Sequence, residues 1–172
     1  MPRVSAENIR ELLANGGYQP LLGSPMPRRE AFVMALCDAA ENDHPELVRE
    51  LIAKDPFAGE SVEPLIAALD SHNIAISRLL LDHGAPINGR GGHSGETPLM
   101  AAAAAGYAVG VRMLLDCGAD SSLLDGDGER DALGWAQMGG AEHNFVGGMP
   151  DDARAAYAMI IQMLQTHAGP AA

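Results

Sequence analysis

At 172 residues the chain is long enough for one domain with a buried core. Its apolar content is mostly Ala and Leu rather than the Val, Ile, Tyr and Phe of sheet proteins, and only 4% of the chain is aromatic, a composition that favours helices. A formal net charge of -12, from 23 acidic against 11 basic side chains, argues against nucleic acid or an anionic membrane as the partner and suits a basic protein surface.

The first ten residues carry charge and no apolar h-region, which predicts a cytoplasmic chain. Val4 and Ile9 bracket Ser5 as a hydrophobic staple, predicting a short helix over Ala6 to Asn15 that Gly16-Gly17 ends. Ile9, Leu12 and Leu13 form one apolar stripe, which favours packing on the first repeat over a helix that swings free. Residues 1–28 are this helix and a linker. A helix pair follows over Phe32 to Asn42 and Pro45 to Lys54, with His44 at the start of its second helix.

Beyond it the chain repeats. Pro64-Leu65-Ile66-Ala67-Ala68 and Pro98-Leu99-Met100-Ala101-Ala102 lie 34 positions apart, as do Leu79 to Ala85 and Met113 to Ala119. Leu99, Ala102 and Gly106 fall at the same offset on Leu133, Ala136 and Gly140. A proline, an alanine pair, a leucine pair and a glycine sharing one offset mark a structural repeat. Each unit reads as a helix, a tight turn, a second helix and an extended finger. Thr97 is an N-cap ahead of Pro98 at the first helical position. Gly84 and Gly118 stand where a left-handed residue ends a helix. The first pair joins the register at an offset of 29, Ala39 on Ala68 and Leu51 on Leu80, so its finger is five residues shorter. The last unit starts at Asp131 and carries an insertion, Ala141 to Pro150, before a final helix over Ala153 to His167. The longest uncharged run, Thr97 to Val111, is too short to span a bilayer.

Gly95-Glu96-Thr97-Pro98-Leu99-Met100-Ala101-Ala102, Gly106 and Leu114-Leu115-Asp116-Cys117-Gly118-Ala119-Asp120 resemble the ankyrin repeat family, whose pattern is T-P-L-H-x-A, a turn glycine, then L-L-x-x-G-A-D. The resemblance covers roughly Arg29 to Gly169. It implies an all-α solenoid of helix-turn-helix units with extended fingers and degenerate capping repeats at both ends. The repeats run approximately over 29–59, 60–93, 94–127 and 128–169, with 170–172 as a tail. The second unit departs at Glu63, in place of the capping Thr, and at His72, in place of the turn glycine; the fourth has Asp131 at the cap and Ala132 in place of Pro. Both fingers, Gly84 to Thr97 and Gly118 to Asp131, are one residue longer than the usual one. A single Lys beside ten Arg, with abundant Ala and Gly, is the composition of a GC-rich bacterial genome.

Catalytic and metal chemistry find little support. Gly89 to Thr97 imitates a phosphate loop, but Glu96 holds the lysine position and no strand precedes it. Gly92-His93-Ser94-Gly95 falls one residue short of a nucleophile elbow. Asp125 to Asp131 lacks the glycine and closing glutamate of a calcium loop and reads as a solvated acidic turn. The six histidines have no partner at zinc-ligand spacing. His72 fills a turn, and His83 and His167 complement helix C-termini. Cys37 and Cys117 read as small buried hydrophobes; they lie two repeats apart, at about 10 Å per step, beyond the reach of a disulfide. Trp135 reads as core in preference to an interface anchor. No metal, cofactor or catalytic residue is expected, and the chain is expected to be a monomer.

The resemblance further implies binding of a protein partner through a concave face built from finger tips and the C-terminal ends of the first helices. Carried onto this chain, those positions are Glu41, Asn42, Asp70, Ser71, Ala104, Ala105, Met138 and Gly139, with His93, Ser94, Glu96, Asp127 and Arg130 at the finger tips. The insertion either caps the last repeat through Phe145 and Val146 or reaches a partner through His143 and Phe145. From Asp116 to Asp152 stand nine acidic residues and one basic one, -8 of the total -12. That concentration favours a basic partner, and in its sharper form an immunity or antitoxin-like inhibitor of a basic toxin or enzyme; an acidic surface that merely keeps the solenoid soluble is the competing reading. An enzyme or small-molecule binder is the remaining alternative, and it needs a pocket of convergent titratable groups.

Overall fold

The computed structural model describes residues 5–15, 28–92, 94–141 and 148–167. Among them every regular element is a helix: α1 (Ala6–Ala14), α2 (Arg28–Glu41), α3 (Pro45–Lys54), α4 (Pro56–Gly59), α5 (Glu63–Asp70), α6 (Ile74–Asp82), α7 (Pro98–Ala104), α8 (Ala108–Asp116), α9 (Ala132–Gly139) and α10 (Asp151–His167). The fold class is that of an all-α repeat solenoid. The chain divides into two compact units, Met1–Pro86 and Ile87–Ala172, and each carries two of the helix pairs.

The turn inside each pair is the recurring device. In the first three repeats the N–H five positions along reaches back to an alanine carbonyl: His44 to Ala39 at 2.9 Å, Asn73 to Ala68 at 2.8 Å and Tyr107 to Ala102 at 2.9 Å. That bond requires a left-handed residue just before it. Gly106 supplies one at φ +69°, whereas Asp43 (φ 60°) and His72 (φ 56°) adopt the same conformation with a side chain. The second helices end likewise, Ala85 N–H on Leu80 O at 3.0 Å and Ala119 N–H on Leu114 O at 2.9 Å, with Gly84 and Gly118 left-handed as expected. In the fourth repeat Gly140 has φ -78°.

In the first unit α2 packs on α5, and Ala35, Ala39, Ala40, Ala67 and Ala68 are buried along them. In the second α7 packs on α9, with Ala101, Ala102, Ala103, Ala132 and Ala136 buried. Side chains this small let helix axes approach closely, and fully buried leucines such as Leu36, Leu65 and Leu80, or Leu99 and Leu114, fill the space beside them. α1 starts at Ser5, whose hydroxyl accepts the Asn8 N–H. It docks on α2 through Ile9 and ties to α3 through Arg10 and Glu50 at 2.8 Å; of the expected stripe, Leu12 stays exposed. Val4 and Gly16-Gly17 lie outside the described residues.

Several boundaries differ from expectation. α2 begins at Arg28, a turn before Phe32, and α10 begins at Asp151, where Asp151 and Asp152 suit the positive end of the helix. The short turn α4 occupies the place of the first finger. Thr97 and Asp131 cap α7 and α9 through their side chains, whereas α5 has Val62 at its cap and no side-chain bond. Met100 stands where the family pattern has His, and its Sδ accepts the Thr97 N–H at 3.4 Å. Cys117 is exposed and Cys37 only half-buried, which corrects their reading as buried hydrophobes: Cys117 is the C-cap of α8, a position that faces water.

Leu114 is fully buried in the second unit. Leu114→Ala is expected to lower unfolding free energy by about 2 to 5 kcal/mol in a urea titration; a loss well under 1 kcal/mol would contradict the register.

Candidate functional site

In the first unit the candidate positions gather at the C-terminal ends of α2 and α5. Glu41, Asp70 and Ser71 are exposed and Asn42 is half-buried. Glu41 and Ser71 line one hollow together with Asp43, His72 and Asn73. The hollow has a fixed floor. Asn73 Nδ2 donates to Asp43 Oδ1 at 2.7 Å while its Oδ1 accepts the Ile76 N–H, so one side chain caps α6 and locks the two turns together. Asn42 Nδ2 donates to Asp38 O at 2.8 Å. Partial shielding from water, and then the Asp38 carboxylate, hold the Glu41 carboxyl above its ordinary range.

In the second unit the candidates lie on the fingers. Each finger closes as a hairpin by the same bond, Gly91 N–H to Glu96 O at 3.0 Å and Asp125 N–H to Arg130 O at 2.8 Å. The two hairpins are joined by Gly126 N–H on Ser94 O at 2.8 Å, by Asp120 N–H on Asn88 Oδ1 at 2.9 Å and by the Arg90 guanidinium, which donates to Leu124 O and Gly95 O. A Cβ on Gly126 would stand 2.8 Å from Ser94 O, and one on Gly95 2.9 Å from Gly126 Cα. The fingers touch backbone to backbone, and only glycine permits it. Ser94 is half-buried in this contact, while Asp127 and Arg130 are exposed and Arg130 pairs with Glu129 at 3.4 Å. Glu96 is turned into its own hairpin, where Oε2 accepts the Ser94 N–H at 3.1 Å. His93, His143 and Phe145 lie outside the described residues.

Two features were missed by the sequence reading. Asp125 does not belong to a solvated turn: it is 3% exposed and accepts from Glu129 N–H at 2.9 Å, Arg130 N–H at 3.4 Å and Trp135 Nε1–H at 3.2 Å. Those bonds, the Glu129 amide first, hold its carboxyl below the ordinary aspartate value of 3.8. Trp135 is therefore a half-buried strut for the finger rather than core. The second feature is Tyr157 of α10, whose hydroxyl donates to Ala104 O at 2.6 Å. Its ring lies on Gly106, Gly139 and Gly140, at each of which a Cβ would come within about 3.1 Å of it. Burial raises its phenol pKa. Ala104, Ala105 and Gly139 are half-buried in this region, and Met138 remains 40% exposed.

The family model for ankyrin repeats (3 copies) matches residues 36–125, more than half of the chain. The chain belongs to the ankyrin repeat family. Ankyrin repeats are in general non-catalytic modules of protein–protein interaction. A search of curated proteins found no match. Among the described residues no group of three His, Cys, Asp or Glu side chains is placed to hold a metal, and no helix is long and apolar enough to cross a membrane.

Gly126→Ala is expected to lower stability by about 1 to 3 kcal/mol through its collision with Ser94 O. Gly128→Ala, with φ +72° but nothing within 4 Å, should cost only its backbone strain, about 1 kcal/mol. Equal losses in parallel thermal melts would argue against the finger contact. For pH, the folded-state pKa of Asp125 lies below its unfolded value, so its contribution is present above about pH 3.8 and is lost as pH falls through the folded value. Fluorescence of Trp135, the single tryptophan, should report loosening of the finger in that acid range, and Asp125→Asn should abolish the transition.

Proposed function

We propose that this chain is an adaptor or inhibitor that binds one protein partner through the finger tips and first-helix ends, and that the partner presents a basic surface there. The observation that carries this reading is the exposed acidic rim of the first unit, Glu41, Asp43 and Asp70 around the Ser71 turn. The basic side chains Arg10, Arg49 and Lys54 are engaged with Glu50 and Glu46 on α1 and α3. A carboxylate held above its usual pKa by shielding and by a like charge, as Glu41 is, gains from an arriving cation. The -8 carried by Asp116 to Asp152 extends the same charge preference and favours the sharper form of the proposal, an immunity or antitoxin-like inhibitor of a basic toxin or enzyme. On this reading the chain acts as a cytoplasmic monomer and catalyses nothing itself.

The test is affinity capture from the source cell with the wild type and an Asp70→Lys/Asp127→Lys variant, both positions being exposed. One protein retained by the wild type, released by rising salt and lost by the variant is the expected result. Equal retention by both would move the interface away from these residues.

A further inference from the structure

α2 packs against α1, α3, α4 and α5, and one stripe of it keeps side chains at the surface. Glu30, Met34, Cys37 and Glu41 follow one another at helical spacing, with Val33 and Asp38 beside them. Met34 is 45% exposed at the centre, Val33 and Cys37 are half-buried next to it, and Glu30 and Glu41 are exposed at the two ends. A shallow groove there is lined by Val33 and Met34 with Arg29, Glu30, Ser61 and Glu63. An apolar patch flanked by carboxylates along the helix is the arrangement in which apolar contact supplies affinity and charge supplies orientation.

The Cys37 thiol is pushed up to about 12, by burial first and then by Glu41, Glu63 and Asp38. Among the described residues, Glu30 and Glu63 line the groove with one guanidinium, Arg29, and the carboxylates of Asp38 and Glu41 lie further along the helix. That balance disfavours an anionic ligand or lipid headgroup, and it disfavours a second copy, which would bring a like stripe against this one. From Glu30 to Glu41 the stripe is about 16 Å long, about three turns, which matches a peptide segment better than a small molecule.

Resting on the adaptor reading above, we propose that this stripe of α2 takes a short partner segment that places an apolar side chain on Met34 and Val33 and basic side chains toward Glu30 and Glu63 at one end and Asp38 and Glu41 at the other. Methionine suits the central position, since its flexible thioether fits to varied apolar partners.

The experiment uses the full chain labelled at its methionine methyls, with the Met34 resonance assigned from Met34→Leu. The probe is a synthetic peptide of about three helical turns made of Leu and Arg with Leu on one face. The expected result is a saturable shift of the Met34 methyl. Affinity should fall about tenfold for Met34→Asp and for a probe with Leu replaced by Ser, and stay within about twofold for Glu46→Gln, which removes an exposed charge on α3. An unmoved Met34 methyl would overturn the proposal, as would equal weakening by Glu46→Gln and Met34→Asp, which marks a purely ionic association. Concentration-dependent broadening of that methyl without peptide would assign the stripe to a second copy and overturn it too. A natural partner lost on Asp70→Lys but retained by Met34→Asp would leave the adaptor reading standing and remove the α2 anchor.

Discussion

A six-residue turn closed on an alanine carbonyl sets the geometry from which the other features follow. Ala39, Ala68 and Ala102 each accept an N–H from the start of the next helix, which ends the first helix at a fixed point and sends the second back beside it. Because the accepting residue is an alanine buried between helices, the same position serves both the turn and the close packing. The exposed ends of the first helices are then products of the turn, which brings Glu41, Asp70 and Ser71 to one rim.

The fingers rest on a different constraint. Their mutual approach is set by backbone alone at Ser94, Gly95 and Gly126, so side chains are spared for other tasks. Arg90 and Asp125 use theirs to saturate carbonyls and amides of the hairpins. Glu96 does the same within its own turn. An acidic residue on a finger is therefore not automatically a residue offered to a partner; Asp127 is exposed, Glu96 is half-buried and Asp125 is buried.

The repeat itself was legible from the sequence because its carriers are residue types with a backbone role: Pro98, Thr97, Gly84, Gly106 and Gly118 each occupy the position that their conformational preference predicts. Turn positions without glycine were legible only through the register, as with His72, and Asp43 gave no signal of its own. Residue-type reasoning misplaced Asp125, Trp135 and Cys117. Whether an aspartate is solvated depends on which amides fold over it, and the partners of Asp125 include an indole ten positions along. Tyr157 was hidden for the same reason, since its acceptor lies 53 residues away. Gly140, aligned with Gly106, and Gly139 beside it were the available hint that something bulky must lie there.

Tyr157 also determines how the last repeat tolerates change. On one side of residues 142–147 stand Gly139 and Gly140, backed by the Tyr157 ring; on the other, Met149 is buried and Arg154 donates to its carbonyl at 3.4 Å. α10 thus closes the last repeat through one aromatic ring, and the room that ring occupies is room that side chains at Gly139 and Gly140 would need.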